Sequence, residues 1–447
     1  LSISVRETCS KNVKVRKRYI ASILVFLAGI SCIGAADFQW SAPADGIVST
    51  ENGAAPEGFL WIAPGTDKVN ALMFAFQNMN EETLFKMESF RERMASAGVA
   101  LLWIAPGFGQ EWDVNQGIQE PFDNLIRTLA EKSGHPELAT VPLIPFGHSA
   151  QATMPWNFAA WNPNRTLCII SYHGDAPRTN LCGYGRSNVE WGRTRNIDGI
   201  PGLMVEGEYE WWEARINPAL AFRMMYPESC ISFLGDAGRG HFDLSERTAS
   251  YLARFIEKSL EKRLVNGKLV RINPADGWLA ARWHPGETSR PAPARQEKYT
   301  GCRHEAFWYF DVEMASAAEA RYAETEGKHK SWIGFVNPDR TLIKYNPQGH
   351  CKIVTKITPD ADDTFRIDAV FTDSTRTVPS DMRDNSLIDV KYVSGPAISL
   401  GNNRFRVDRN HPTWKNPRRR GSITLCAEAP SDCRFKETVQ EIEIILQ

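Results

Sequence analysis

The chain has 447 residues, 43% of them hydrophobic and 23% charged, with a formal net charge of -1. That balance excludes a largely disordered chain and lacks the basic excess of a protein built to neutralise nucleic acid. At about 150 residues per domain the length accommodates two or three domains. Beyond the N-terminus no apolar run approaches the ~20 residues that span a bilayer, so no transmembrane segment is expected in the mature chain.

At the N-terminus, Lys14, Arg16, Lys17 and Arg18 precede the apolar run from Tyr19 to Ala28, and Gly34-Ala35-Ala36 precede Asp37. Basic, apolar and then small residues is the order of a secretory signal peptide, here 1–36, and implies a secreted or periplasmic protein. Lipid anchoring at Cys32 is the alternative fate, although Gly29-Ile30-Ser31 makes a poor lipobox. Cys9 and Cys32 lie in this leader, and none of the nine cysteines forms a CxxC pattern, so no metal site is expected. Cys426 and Cys433 could bridge a hairpin in an oxidising compartment, whereas Cys168 and Cys230 sit in apolar runs and read as core.

Residues 37–265 form the first domain. Its short apolar runs are Leu72–Phe76, Val99–Ile104, Val141–Phe146, Leu167–Ile170, Gly202–Val205 and Cys230–Leu234. Continuous runs of this length fit strands buried on both faces, as in a mostly parallel sheet covered by helices. Between them Leu84, Met87, Phe90 and Met94 trace one helical face, and Leu252, Phe255, Ile256 and Leu260 another. Asp243 with Glu246 is expected to cap that last helix. Pro142 and Pro145 resist the reading, because proline deletes a ladder hydrogen bond from a central strand.

Asn266-Gly267 ends the last helix, and 266–329 is expected to connect the two units, with a strand at Phe307–Phe310 and a helix after it. From 330 to 447 the apolar residues alternate: Phe365, Ile367, Ala369 and Phe371; Ile388, Val390 and Tyr392; Ile442, Ile444 and Leu446. Period-two segments separated by turn residues predict a smaller antiparallel β-sandwich of immunoglobulin-like type.

The chemistry is concentrated in the first domain. Gly147-His148-Ser149-Ala150-Gln151 follows an apolar strand and precedes a helix. A serine on so sharp a turn has its hydroxyl lifted clear of the sheet, with the next backbone N–H facing a developing oxyanion. Here the sequence resembles the α/β-hydrolase family, with Gly147-His148-Ser149 matching the nucleophile elbow and Gln151 standing where that family has glycine. The strand Gly202–Val205 runs into Glu206-Gly207-Glu208-Tyr209-Glu210, which resembles the turn carrying the family's acid; register favours Glu210, with Glu208 next. Gly235 to Phe242, ahead of the last helix, resembles the loop that carries the general base, at His241. The resemblance covers residues of roughly 55–264 and implies a triad of Ser149, His241 and Glu210. It also implies an oxyanion hole made by Ala150 and by Gln77 or Asn78.

In that scheme the imidazole activates a hydroxyl that is otherwise a poor nucleophile, and the carboxylate fixes the imidazole tautomer. Fourteen tryptophans is a high count, and Trp156, Trp211 and Trp212 fall in segments next to the catalytic strand ends, as does His173. Indole faces suit sugar rings. With the leader and the appended sandwich, the chain resembles secreted carbohydrate esterases that remove acetyl or methyl ester groups. A peptidase or lipase on the same fold, and a non-catalytic carbohydrate-binding protein, are the alternatives. No Gly-rich phosphate loop or nucleotide fingerprint occurs, so no cofactor is expected.

Overall fold

The computed structural model describes residues 3–7, 38–179, 188–208, 213–237, 239–283, 289–323, 335–336, 342–343, 351–373, 389–415, 422–428 and 439–446. The chain divides into two compact units, Phe38–Lys328 and a second made of Leu1–Asp37 with His329–Gln447.

The first unit is built on an eight-stranded sheet. Its strands are β1 (Trp40–Pro43), β2 (Glu57–Trp61), β3 (Ala71–Phe76), β4 (Val99–Ala105), β5 (Leu143–His148), β6 (Ile169–Tyr172), β7 (Pro201–Gly207) and β8 (Cys230–Asp236). The spatial order is β1-β2-β4-β3-β5-β6-β7-β8. β2 runs antiparallel to β1 and β4, and the other neighbours are parallel. This is the mostly parallel sheet covered by helices that the apolar runs predict. Those runs are unbroken because both faces are covered. Met73 and Ala75 join a core with α1 (Glu81–Lys86), α2 (Glu88–Ala97) and α6 (Glu246–Arg263), whereas Leu72, Phe74 and Phe76 join one with α3 (Gln119–Ser133).

Pro145 is accommodated inside β5. The strand pairs continuously with β3 from Leu143 to Phe146. Toward β6 it makes only a bridge at Leu143–Thr166 and resumes at Phe146–Ile170, so the missing N–H falls in a gap of the ladder. Two local expectations need correction. The face Leu84–Met94 belongs to two helices, because Met87 is extended (φ -65°, ψ 119°) and breaks it. The cap of α6 is Ser245, whose hydroxyl accepts the Thr248 N–H; Asp243 instead accepts the Gly240 N–H at 2.8 Å.

Residues 264–269 form a two-residue hairpin across Asn266-Gly267. The stretch read as a connector packs within this unit. Trp278–Ala281 pairs with Ala294–Arg295 and Ala306–Tyr309, and α7 (Val312–Ala323) follows. These residues cover β8: the Ser232 hydroxyl donates to Trp308 O and the Tyr309 hydroxyl to Phe233 O, each at 2.6 Å, and Arg321 pairs with the buried Asp236.

In the second unit, Cys351–Pro359, Thr364–Asp373, Arg404–Val407 and Ala397–Gly401 make one antiparallel sheet. Asp389–Ser394, Ser422–Glu428, Val439–Leu446 and Ile3–Glu7 make another. Phe365, Ile367 and Ala369 from the first sheet share one core with Ile423, Leu425, Ile442 and Ile444 from the second, as a β-sandwich requires. The strand Ile3–Glu7 lies inside the stretch read as a leader; the basic and apolar parts of that stretch, Ile388 and Cys433 lie outside the described residues. Cys168 and Cys230 are buried free thiols, and burial pushes both up to about 12.

Among the described glycines of the first unit, the one with least room for a side chain, Gly174, lies against Ala152, three residues after the expected nucleophile. A Cβ on Gly174 would stand 1.9 Å from Ala152 Cβ, and one on Gly147 would stand 2.1 Å from Gln151 O. Gly174→Ala is therefore expected to lower stability by about 1–3 kcal/mol, the usual cost of overpacking. Adding Ala152→Gly should restore most of the loss in urea unfolding; an unchanged midpoint in the single variant would contradict the contact.

Candidate active site

β5 ends at His148, and the chain turns at once into a 3-10 turn, Ser149–Gln151, and then α4 (Met154–Trp161). Ser149 takes φ 55°, the left-handed region that a non-glycine residue occupies only when its surroundings hold it there. Gln151 fits where a glycine was expected because only its main-chain carbonyl faces Gly147. Its side chain leaves the turn and donates to Glu51 Oε1 at 2.8 Å.

His241 lies on the loop between β8 and α6, half-buried, with Nε2 2.7 Å from Ser149 Oγ. The sequence residues Ser149 and His241, 92 positions apart, are thus brought into hydrogen-bond contact. When the serine hydroxyl donates to Nε2, the neutral ring carries its proton on Nδ1, the atom an orienting carboxylate would face. Burial, with the Arg215 cation second, holds the His241 imidazole down to about 3, so it is a free base at neutral pH.

The loop after β3 supplies the other side of the site. The Gln77 N–H is donated to Ile104 O at 2.8 Å and is therefore committed to the sheet, which corrects its assignment as an oxyanion donor. Asn78 follows, and its side-chain Nδ2 donates to His148 O at 2.7 Å, tying the loop to the elbow. Glu81 makes the matching tie: Oε1 accepts the His148 N–H at 2.8 Å and Oε2 the Met79 N–H at 2.7 Å. Sequence reasoning missed Glu81. Its only signal was an acidic residue at the start of the helix that follows β3.

Two of the residues expected to touch substrate do not lie on an accessible surface. Trp156 is fully buried, donating Nε1–H to Asp175 O at 2.7 Å, and is a core residue of α4. His173 is fully buried as well, with Nδ1 3.0 Å from His241 O. Glu210, Trp211 and Trp212 lie outside the described residues. Of the neighbouring acids, Glu206 is buried and paired with Arg215 of α5 (Glu213–Met225) at 3.1 Å, while Asp175 stands 3.9 Å from the same guanidinium. Arg215 also donates to His173 O at 3.3 Å, so this charge cluster braces the ends of β6 and β7.

Ring nitrogens of His148, His173 and His241 lie within 4.8 Å of one another, a spacing that metal sites use. In each of these rings one nitrogen is directed within the protein: His148 Nε2 and His173 Nδ1 point at the His241 carbonyl, and His241 Nε2 faces Ser149 Oγ.

No protein-family model matches the chain, and no curated protein matches it. Among solved structures it is similar to a carboxylesterase from Bacillus cereus, with TM-score 0.33 and 14% identity over 45% of this chain and 93% of that one. It is similar to a soluble variant of monoglyceride lipase from Saccharomyces cerevisiae, with TM-score 0.33 and 12% identity over 47% and 92%. A siderophore hydrolase, EstA from Aspergillus nidulans, matches with TM-score 0.36 and 12% identity over 52% and 99%.

Glu81 gives this site a measurable pH signature. It is fully buried, and burial outweighs the two N–H donors, raising its carboxyl from 4.5 to about 8. Between those values the folded state holds a proton that the unfolded state has lost, so this group's contribution to stability falls as pH rises through that window. Relative to Glu81→Gln, the wild-type protein should lose stability from pH 5 to about 8 in urea unfolding. Parallel pH profiles for the two proteins would refute the buried, protonated carboxyl.

Proposed function

We propose that this chain is a secreted serine hydrolase that cleaves carboxylic ester bonds through an acyl-enzyme, acting on acetyl or methyl esters of carbohydrates. The observation that carries the reading is the 2.7 Å contact of Ser149 Oγ with His241 Nε2 at a strand-to-helix turn. In the proposed reaction, His241 takes the hydroxyl proton as Ser149 Oγ attacks the ester carbonyl. The N–H groups of Ala150 and Asn78 receive the oxyanion, and each such donor is typically worth about 100- to 1,000-fold. The imidazolium then protonates the departing alcohol. Water repeats the sequence on the acyl-enzyme and frees the serine.

Glu210 is proposed as the acid that faces His241 Nδ1. The pairing of Glu206 with Arg215 supports looking further along the turn for that role. The carbohydrate part of the reading rests on Trp211 and Trp212, which follow Glu210 directly, and secretion rests on the basic–apolar–small order of residues 14–36.

A fluorophosphonate should label Ser149 alone, and Ser149→Ala should lose ester hydrolysis by orders of magnitude with its melting temperature kept. Acetylated and methyl-esterified polysaccharides, p-nitrophenyl acetate and a peptide panel, assayed side by side, test the substrate class. Activity on peptides alone, or full activity in Ser149→Ala, would overturn the reading. For the acid, Glu210→Gln is expected to cost about 10,000-fold in kcat. Retained activity there, with a loss in Glu208→Gln, would move the acid by two residues.

A further inference from the structure

The main-chain carbonyl of His241 stands between two imidazoles, 2.8 Å from His148 Nε2 and 3.0 Å from His173 Nδ1. A carbonyl oxygen can only accept, so both nitrogens carry hydrogen. Both rings are fully buried, and burial above all holds each well below the ordinary 6.5. Each neutral ring then has a single N–H, and in both it is directed at the same oxygen, the longer 3.4 Å neighbour of His148 Nε2 being the Asn80 side-chain amide: His148 is the Nε2–H tautomer and His173 the Nδ1–H tautomer.

The oxygen they hold lies in a loop without regular secondary structure, between β8 and α6. Its neighbours are fixed a little further on, where the Tyr172 hydroxyl donates to Asp243 O at 2.6 Å. His148 also occupies a particular place in the chain. Its side chain reaches the base loop, its N–H and carbonyl are held by Glu81 and Asn78, and the next residue is Ser149. His173, with φ 48°, is in turn seated by Val205 O on its N–H at 2.8 Å and by Arg215 on its carbonyl.

We infer that His148 and His173 are positioning residues that set the reach of His241 to Ser149 by donating hydrogen bonds to the His241 carbonyl. The inference rests on the serine hydrolase reading and adds to it a role for the residue between Gly147 and Ser149. Their hold comes from donor position, not from charge or bulk, and that separates the clamp from ordinary core packing.

Donor position can be tested, because glutamine places an N–H near the Nε2 site of histidine and asparagine places one near the Nδ1 site. The full chain is measured for kcat and KM on p-nitrophenyl acetate, and for amide exchange in 239–243. His148→Ala and His173→Ala should lower kcat by as much as about 100-fold, the cost of a misplacement near 1 Å, with KM changed far less. Both should speed exchange in the loop. His148→Gln and His173→Asn should recover most of kcat and of the protection, whereas the crossed variants His148→Asn and His173→Gln should not. Equal behaviour of Gln and Asn at each position, or unchanged exchange in the alanine variants, would overturn the clamp. A wild-type protein that neither hydrolyses the ester nor takes the fluorophosphonate would refute the serine hydrolase reading alone, and the exchange comparison would still decide the clamp.

Discussion

The end of the sheet that carries Ser149 depends on how closely the start of α4 approaches the ends of β5 and β6. The chain can reverse at Ser149 only because no Cβ stands at Gly147 or Gly174, where Gln151 O and Ala152 Cβ occupy the space. Once the reversal is made, the serine hydroxyl meets His241 Nε2 instead of packing into either core. The two apolar layers make that geometry rigid. Phe74 of β3 and Phe158 of α4 meet edge to face with ring centroids 4.9 Å apart, so the helix cannot drift from the strands it follows.

Around this turn the protein buries Glu81, His148, His173, Asp175, Glu206 and Arg215. Each piece is compensated in a different way. Arg215, 2% exposed, lies between two carboxylates that have no access to water, and loss of any member would strand the others. Glu81 is held by two backbone N–H groups, yet burial dominates and keeps a proton on it. The imidazoles are neutral for the same reason. The candidate site therefore sets neutral imidazoles close to a deeply buried cation, a combination that depends on keeping water out.

Much of this was legible in the sequence, for a physical reason. Strands covered on both faces must be apolar at every position, and Leu72–Phe76 or Val99–Ile104 can scarcely be read otherwise. Ser149 and His241 were legible because a strand-to-helix serine and a histidine after a glycine-rich loop are local patterns. What escaped depends on contacts distant in the chain. Trp156 is one turn from the elbow, and sequence alone cannot say that its indole faces Asp175 O and the core. His148 was only a spacer between two motif residues, since its partner lies 93 positions away. The helical face from Leu84 to Met94 kept its period across a break, because the stagger at Met87 leaves the apolar side chains on one side. Ser245 lost the cap to Asp243 in the sequence reading because both precede the helix and either side chain could accept an amide.

The covering of β8 has a consequence for how the protein is made. Everything that the proposed chemistry needs has left the ribosome by Phe242, yet the outer side of β8 is sealed by Ala306–Tyr309 and α7, which come much later. Until then Ile231 and Phe233 belong to a strand without its final neighbours, and Asp236 is without the arginine that compensates it. Translation thus completes the site before it completes the shelter of the last strand. The nascent chain passes through a stage in which a sticky β edge must be kept from other chains.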